Sequence, residues 1–379
     1  MLFYLPTSYI VGMLCWLLIV GVLLRVLLSQ RRRYRSVASR LRWVKLGLSL
    51  WMLLMMLTGC ELYFALFVDE SDAFNMTNVS KRWFDRHIEA QRNSFGARDV
   101  AEFHRNRPPG RRRICFVGDS FTIGHGVRRR EDRFTDRIGA ALERSQPGKF
   151  RVANLADPGL DISQIEARVH GLLREGYETD MVIYVICLND IEAYDSRTDA
   201  AIKSLQVAQP RFFLWTKTYF LNWLYFRYVQ LSQPGTRDYF PHLADSYESE
   251  AWDGFAFHLE EMNAQCSDND VELRVVIFPF LTELGSDYPF AKAHRKIMSF
   301  CETKGVNTLD LEPVFRRHAD ENLTVNRFDS HPNETAHQIV TFQEDQCRIR
   351  KGHADANIRC TWSITSGGRI KPGRTCATC

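Results

Sequence analysis

The sequence predicts a three-layer α/β/α sandwich, in which helices cover both faces of a five-stranded parallel sheet, preceded by two transmembrane helices. Three observations predict it. Five short apolar runs alternate with amphipathic stretches long enough to be helices. Two longer apolar runs, 9–28 and 46–68, precede them. The composition, 379 residues with 45% hydrophobic and 25% charged, is that of a folded chain and excludes disorder, collagen and coiled coil.

The first long run carries Arg25 as its one charge and the second carries only Glu61, so each can span the hydrocarbon core. A cleaved signal peptide fits the first run poorly, because no basic region precedes it and arginines rather than small residues follow. Between the runs stand Arg31, Arg32, Arg33, Arg35, Arg40, Arg42 and Lys45 with no acid, whereas Asp69, Glu70 and Asp72 follow the second. The basic loop is expected in the cytoplasm. Residues 1–68 then form a multi-pass anchor, and the chain after Val68 is expected outside, in the periplasm or at the cell surface of a bacterium. Arg25 can snorkel to the inner headgroups. Glu61 reads as a carboxylate near the outer end of a tilted helix, with an intramembrane functional acid as the alternative.

That loop also explains the high pI of 8.5. Without its seven basic residues the chain holds 42 basic against 45 acidic residues, a net charge of −3. Nucleic-acid binding through the main domain would need the opposite balance, so no nucleic-acid partner is expected. Ten cysteines in a chain of this length do not make a disulfide scaffold. Cys15 and Cys60 lie in the spans, and Cys115 and Cys187 read as buried thiols in strands. Cys266, Cys301, Cys347, Cys360, Cys376 and Cys379 are available for pairing in an oxidising compartment, with no spacing that selects partners.

Residues 69–112, which contain Arg107-Pro-Pro-Gly110, read as a linker. The strands are expected at 113–117, 150–155, 181–187, 273–278 and 306–311, each a short buried run. Helices are expected over 132–145, 162–175 and 288–304. The interval 195–252 is too long for a plain crossover. Its aromatics, Phe212, Phe213, Trp215, Tyr219, Trp223, Tyr225 and Phe226, predict a helical insertion. In an open parallel sheet, ligands bind at the carboxyl ends of strands, so this insertion reads as a lid or substrate wall, or as plain packing. The domain is expected over 113–342. The tail 343–379 is polar and reads as a disordered extension or a terminus altered by a frame change.

Four polar clusters fall at predicted strand ends. Gly118-Asp119-Ser120 follows the first, the segment from Asn154 to Gly159 the second, Cys187-Leu188-Asn189-Asp190 the third, and Asp329-Ser330-His331-Pro332-Asn333 the last. Singly, each reads as a helix cap or a turn. In this order, over roughly residues 114–340, they resemble the SGNH, or GDSL-like, hydrolase family, whose first block is a strand ending in Gly-Asp-Ser. Two departures stand out: Cys187 occupies a Gly position, and the acid that commonly lies three residues before the His is here Phe328. Asp329, two before, resembles a shorter-spaced variant, with a backbone carbonyl as the alternative support for His331.

The chemistry asks for these residue types. An ester carbonyl needs a nucleophile that loses its proton as it attacks, and imidazole has the pKa for that task, which assigns Ser120 and His331. A developing oxyanion needs donors aimed in advance, which the Ser120 N–H, the Gly159 N–H and the Asn189 amide supply. Asp329 would hold the tautomer of His331. Asp119 and Asp190 are supporting groups. The resemblance implies a flavodoxin-like sheet and an ester-bearing substrate such as an acylated glycan or lipid. No cofactor is expected, and no metal is assigned because His125, His318 and His337 lack ligand spacing with acids or cysteines. A Gly-x-Ser-x-Gly elbow and a P-loop are absent from the sequence. The leading reading is a membrane-anchored serine esterase or deacylase; the alternatives are an O-acyltransferase acting on envelope polysaccharide and a catalytically silent binding module.

Overall fold

The structure, a computed structural model, describes residues 4–207, 209–232, 234–285 and 287–344. The expected tail, apart from residues 343 and 344, lies outside these, as do Cys347, Cys360, Cys376 and Cys379. The chain begins with two antiparallel helices, α1 (Thr7–Arg33) and α2 (Ala38–Leu66). Trp16 Nε1 donates to Thr58 Oγ1 at 3.0 Å, and Trp51 Nε1 donates to the Val20 carbonyl at 3.0 Å. Both are long and apolar enough to cross a membrane. Protein covers little of them: Val20 alone is buried on α1, and Val44, Thr58, Glu61 and Ala65 on α2.

After α3 (Asn78–His87) come β1 (Arg112–Gly118), the single-turn α4 (Ser120–Ile123), α5 (Phe134–Ser145), β2 (Phe150–Asn154), α6 (Ile162–Arg174) and β3 (Met181–Cys187). The insertion contributes α7 (Ser196–Val207), α8 (Phe213–Lys217), α9 (Phe220–Ser232) and α10 (Pro234–Ser246). Next are α11 (Ala251–Asp268), β4 (Glu272–Phe278), α12 (Ala291–Thr303), β5 (Asn307–Asp310) and α13 (Glu312–Phe315). A short antiparallel pair, β6 (Thr324–Asn326) and β7 (Asp329–Pro332), leads into α14 (Glu334–Glu344).

The five main strands are all parallel, in the order β2-β1-β3-β4-β5. Helices cover both sides, which is why β1, β3 and β4 are buried almost end to end and read as continuous apolar runs. The start of α6 is fixed by polar side chains: those of Asp161 and Gln164 make a reciprocal capping box. Winding reverses between β1 and β3, which opens a crevice at their carboxyl ends. Gly118 closes β1 there with φ +152°, and a Cβ would come within 2.7 Å of the Val185 carbonyl oxygen on β3, so only glycine fits.

Residues 69–112 correct the linker expectation. Thr77 caps α3 by accepting from Ser80 N–H, and Asp72 is buried, accepting from Met76 N–H, Thr77 N–H and Thr77 Oγ1. Arg98 is fully buried and donates to the carbonyls of Ile123, Gly124, Val127 and Arg128. Polar side chains here satisfy buried backbone groups, and Val79, Trp83 and Ile88 add buried apolar packing beside them. Cys266 and Cys301 are buried and form no disulfide among the described residues.

Candidate active site

Ser120 starts α4 at the carboxyl end of β1, and Asp119 is its N-cap, accepting from Phe121 N–H at 3.1 Å. Ser120 Oγ donates to Asp119 Oδ2 at 3.1 Å, and Asn189 Nδ2 donates to the same oxygen at 3.3 Å. Asp119 thus ties the end of β1 to the loop after β3. Gly159 lies in the loop after β2, which Asp157 N–H joins to the Gly118 carbonyl at 3.3 Å. Its φ is +73°, its surroundings are open, and its N–H makes no hydrogen bond among the described residues.

His331 and Asp329 sit two apart on β7, and side chains two apart on a strand share a face. Asp329 Oδ1 therefore reaches both His331 N–H, at 3.1 Å, and His331 Nδ1, at 2.5 Å. That bond engages Nδ1 and leaves Nε2 to other partners, and it is made at the shorter, two-residue spacing. The His331 ring packs edge-on against Phe121 with centroids 5.6 Å apart, which seats it over α4. No hydrogen bond joins His331 to Ser120 among the described residues; the serine hydroxyl rests on Asp119 instead.

The charges follow the packing. Burial opposes ionisation of Asp329, but the adjoining His331, then His125 and the Ser71 hydroxyl, hold its carboxyl well below the usual range. Burial disfavours the His331 cation, yet the Asp329 carboxylate outweighs it and raises the imidazole above its ordinary value. Burial raises Asp119 and, more strongly, Asp190, whose Oδ2 accepts from Tyr184 Oη at 2.6 Å and from Cys187 N–H at 3.2 Å. Glu192, beside Asn189, is pushed up to about 8 by burial and then by Asp119.

Three groups here are invisible to sequence reasoning. Ser71 Oγ donates to Asp329 Oδ2, the oxygen that His331 leaves free. Arg98 and Arg133 both bond the Ile123 carbonyl and so clamp the turn after α4. His125 is buried, and its ring centroid lies 4.2 Å from that of His331. Burial, then the His331 cation, pushes it down to about 3, so it is neutral. His125, Asp329 and His331 each bring one ligand-type atom to within 4.8 Å of the others, a grouping that could hold a metal ion. This corrects the expectation that His125 lacks ligand-type partners: they lie some 200 residues away, beyond any spacing rule. His337 Nδ1 instead accepts from Phe134 N–H, and His318 pairs with Glu321.

A parallel sheet of this order, with serine, histidine and aspartate gathered near its carboxyl rim, defines an α/β protein of hydrolase type. The family model for GDSL-like lipases and acylhydrolases matches residues 116–339, more than half of the chain, and the protein belongs to that family. Among solved structures, a catalytic mutant of the acetylxylan esterase Axe2 from Geobacillus stearothermophilus is 15% identical, with a TM-score of 0.39 over 61% of this chain and 91% of that one. A G-D-S-L family lipolytic protein from Veillonella parvula DSM 2008 is 12% identical, with a TM-score of 0.38 over 63% and 98%. No curated protein matches the sequence.

Proposed function

We propose that the protein is a membrane-anchored serine esterase whose domain faces away from the cytoplasm. The observation that carries the chemistry is the 2.5 Å bond from Asp329 Oδ1 to His331 Nδ1, with the ring seated against the residue after Ser120. Ser120 Oγ turns from Asp119 towards His331 Nε2, gives it the proton and attacks the ester carbonyl carbon. The Ser120 and Gly159 N–H groups and the Asn189 amide hold the oxyanion. His331 hands the proton to the departing alcohol, and water then releases the acid from the acyl-enzyme by the same steps. Asp190 supports the Asn189 loop through Tyr184 and Cys187. The uncovered apolar surfaces of α1 and α2, and the seven basic residues between the two apolar runs, support the anchor and its orientation. Residues 1–68 would be the anchor and 113–342 the catalytic domain, with residues 69–112 packed onto it.

Purified full chain tests this with a short-chain p-nitrophenyl ester and a fluorophosphonate probe. Wild type is expected to hydrolyse the ester and take the label on Ser120, and Ser120→Ala to do neither. Equal hydrolysis by the two proteins would refute the nucleophile, and well-folded wild type that resists the probe would favour a silent module.

A further inference from the structure

Glu61 lies five residues before the end of α2, about 7.5 Å of helical rise inside it. Its carboxylate accepts from Tyr219 N–H at 2.7 Å, Phe220 N–H at 2.8 Å and Tyr9 Oη at 2.8 Å. It therefore caps the start of α9 at a depth inside the apolar run. Phe64, on the next turn of α2, packs against Phe220 and Trp223 with ring centroids 5.1 and 5.2 Å apart. The insertion is thus fastened to the membrane helix below its exit.

Helix α9 is apolar on two faces. Asn222, Phe226 and Val229 face the protein and are buried, while Leu224, Tyr228 and Leu231, also at i, i+4 and i+7, are 43%, 70% and 75% exposed. Beside them, Phe212, Phe213 and Trp215 at α8 are exposed, flanked by exposed Arg211 and Lys217. At the end of α2, Tyr63 and Phe67 are exposed as well, with Tyr63 packed on Phe64, which in turn meets α9. Exposed aromatics bordered by cations, continuous with a helix that needs lipid, form an interfacial belt. The inner face of α9 meets the site: Arg227 Cζ stands 3.9 Å over the Phe328 ring, Trp223 packs on the same ring at 6.2 Å, and Phe328 precedes Asp329.

We propose that α8 and α9 lie in the leaflet adjoining the domain, against α2, and that the ester hydrolysed belongs to an amphiphile held in that leaflet. The substrate half rests on the esterase reading above; the docking half rests only on the anchor. The occupant of the exposed stripe is lipid, not a second copy of the chain.

The test uses the full chain in phosphatidylcholine–phosphatidylglycerol nanodiscs, with a nitroxide-bearing residue replacing Phe213, Tyr228 or, as a water-facing control, Val100, which is 80% exposed. Collisions with oxygen rather than a nickel chelate are expected at 213 and 228, and the reverse at 100. Water-like collisions at 213 and 228 would overturn docking, as would concentration-dependent shielding from both reagents, the sign of a second copy. In the second arm, Phe213→Glu, Tyr228→Glu and Leu231→Glu are combined. Turnover of dissolved p-nitrophenyl acetate is expected to stay within twofold of wild type, while turnover of a long-chain p-nitrophenyl ester embedded in the discs falls at least tenfold. An equal ratio on both esters would overturn the substrate half. Wild type inert towards both, with lipid-facing nitroxides, would overturn the esterase reading and the substrate half but uphold docking.

Discussion

Replacing Ser71 with alanine removes one hydroxyl from a carboxylate that has no access to water. Asp329 is buried, and its two oxygens are served differently: Oδ1 takes both donors of His331, whereas Oδ2 takes Ser71 Oγ, with His125 Nε2 no nearer than 4.0 Å. A hydrogen bond to a charged group contributes about 1.5–3 kcal/mol. For a domain of this size that corresponds to a fall of roughly 3–12 °C in the thermal midpoint. If the loss falls on the ionised form, Asp329 rises by about one to two pKa units. It starts well below the usual carboxylate range, so it stays ionised at neutral pH. The Ser71→Ala protein is therefore expected to be less heat-stable in detergent yet active on a dissolved ester, with its acid limb moved slightly upward because the less-solvated carboxylate holds the His331 proton more tightly. Ser71→Thr, which keeps a hydroxyl, should recover much of both. A Ser71→Ala midpoint within 1 °C of wild type, with an unchanged pH profile, would refute the assignment of Oδ2 to this hydroxyl.

Asp329→Asn is expected to lower kcat by about 10⁴-fold, the loss seen when a triad acid becomes an amide. Its acid limb should move to lower pH, because the anion that raises His331 is gone; stopped-time assays from pH 5 to 9 check both. Asn189→Ala should cost about 10²–10³ in kcat, roughly 2.7–4 kcal/mol, with KM changed much less. Gly126→Ala should unfold at a markedly lower temperature, since Gly126 has φ +91° and a Cβ would fall 2.2 Å from Val325 Cγ2, on the strand paired with the one bearing His331; adding Val325→Ala should recover only the steric part. Stability itself should be bounded on both sides of the Asp329–His331 pair. The depressed Asp329 contributes fully above about pH 3.9 and loses its contribution as pH falls through its lower folded value; the raised His331 contributes fully below about pH 6.5 and loses its contribution as pH rises through its higher one. Midpoints recorded across pH 2–9 should therefore peak between those limits.

The sheet was legible because a parallel strand buried on both faces must be apolar at every position. The run 181–187 coincides with β3, and the other four differ from their strands by one residue at one or both ends. Two candidate site residues stood out for a related reason: in such a sheet polar residues cluster where strands end, as at Ser120 and Asn189, whereas His331 lies in β7, outside that sheet. What stayed hidden is polar burial. Asp72 and Arg98 have the composition of a solvated linker, and only the backbone groups they meet show otherwise. His125 lies between two glycines and reads as a loop residue until it is found stacked on His331. The aromatic content of the insertion was legible, but the exposed stripe of Leu224, Tyr228 and Leu231 was not, because a helix with apolar residues on both faces has no dominant period.

Only residues 67–70 separate the end of α2 from Ser71, the donor to Asp329. The helix pair α1–α2 and the Asp329–His331 pair are consequently linked through a short piece of chain. A chain cut within residues 72–111 would break the covalent link between that hydroxyl and the sheet, and a domain that then lost residues 1–71 would lose the heat stability that Ser71 supplies.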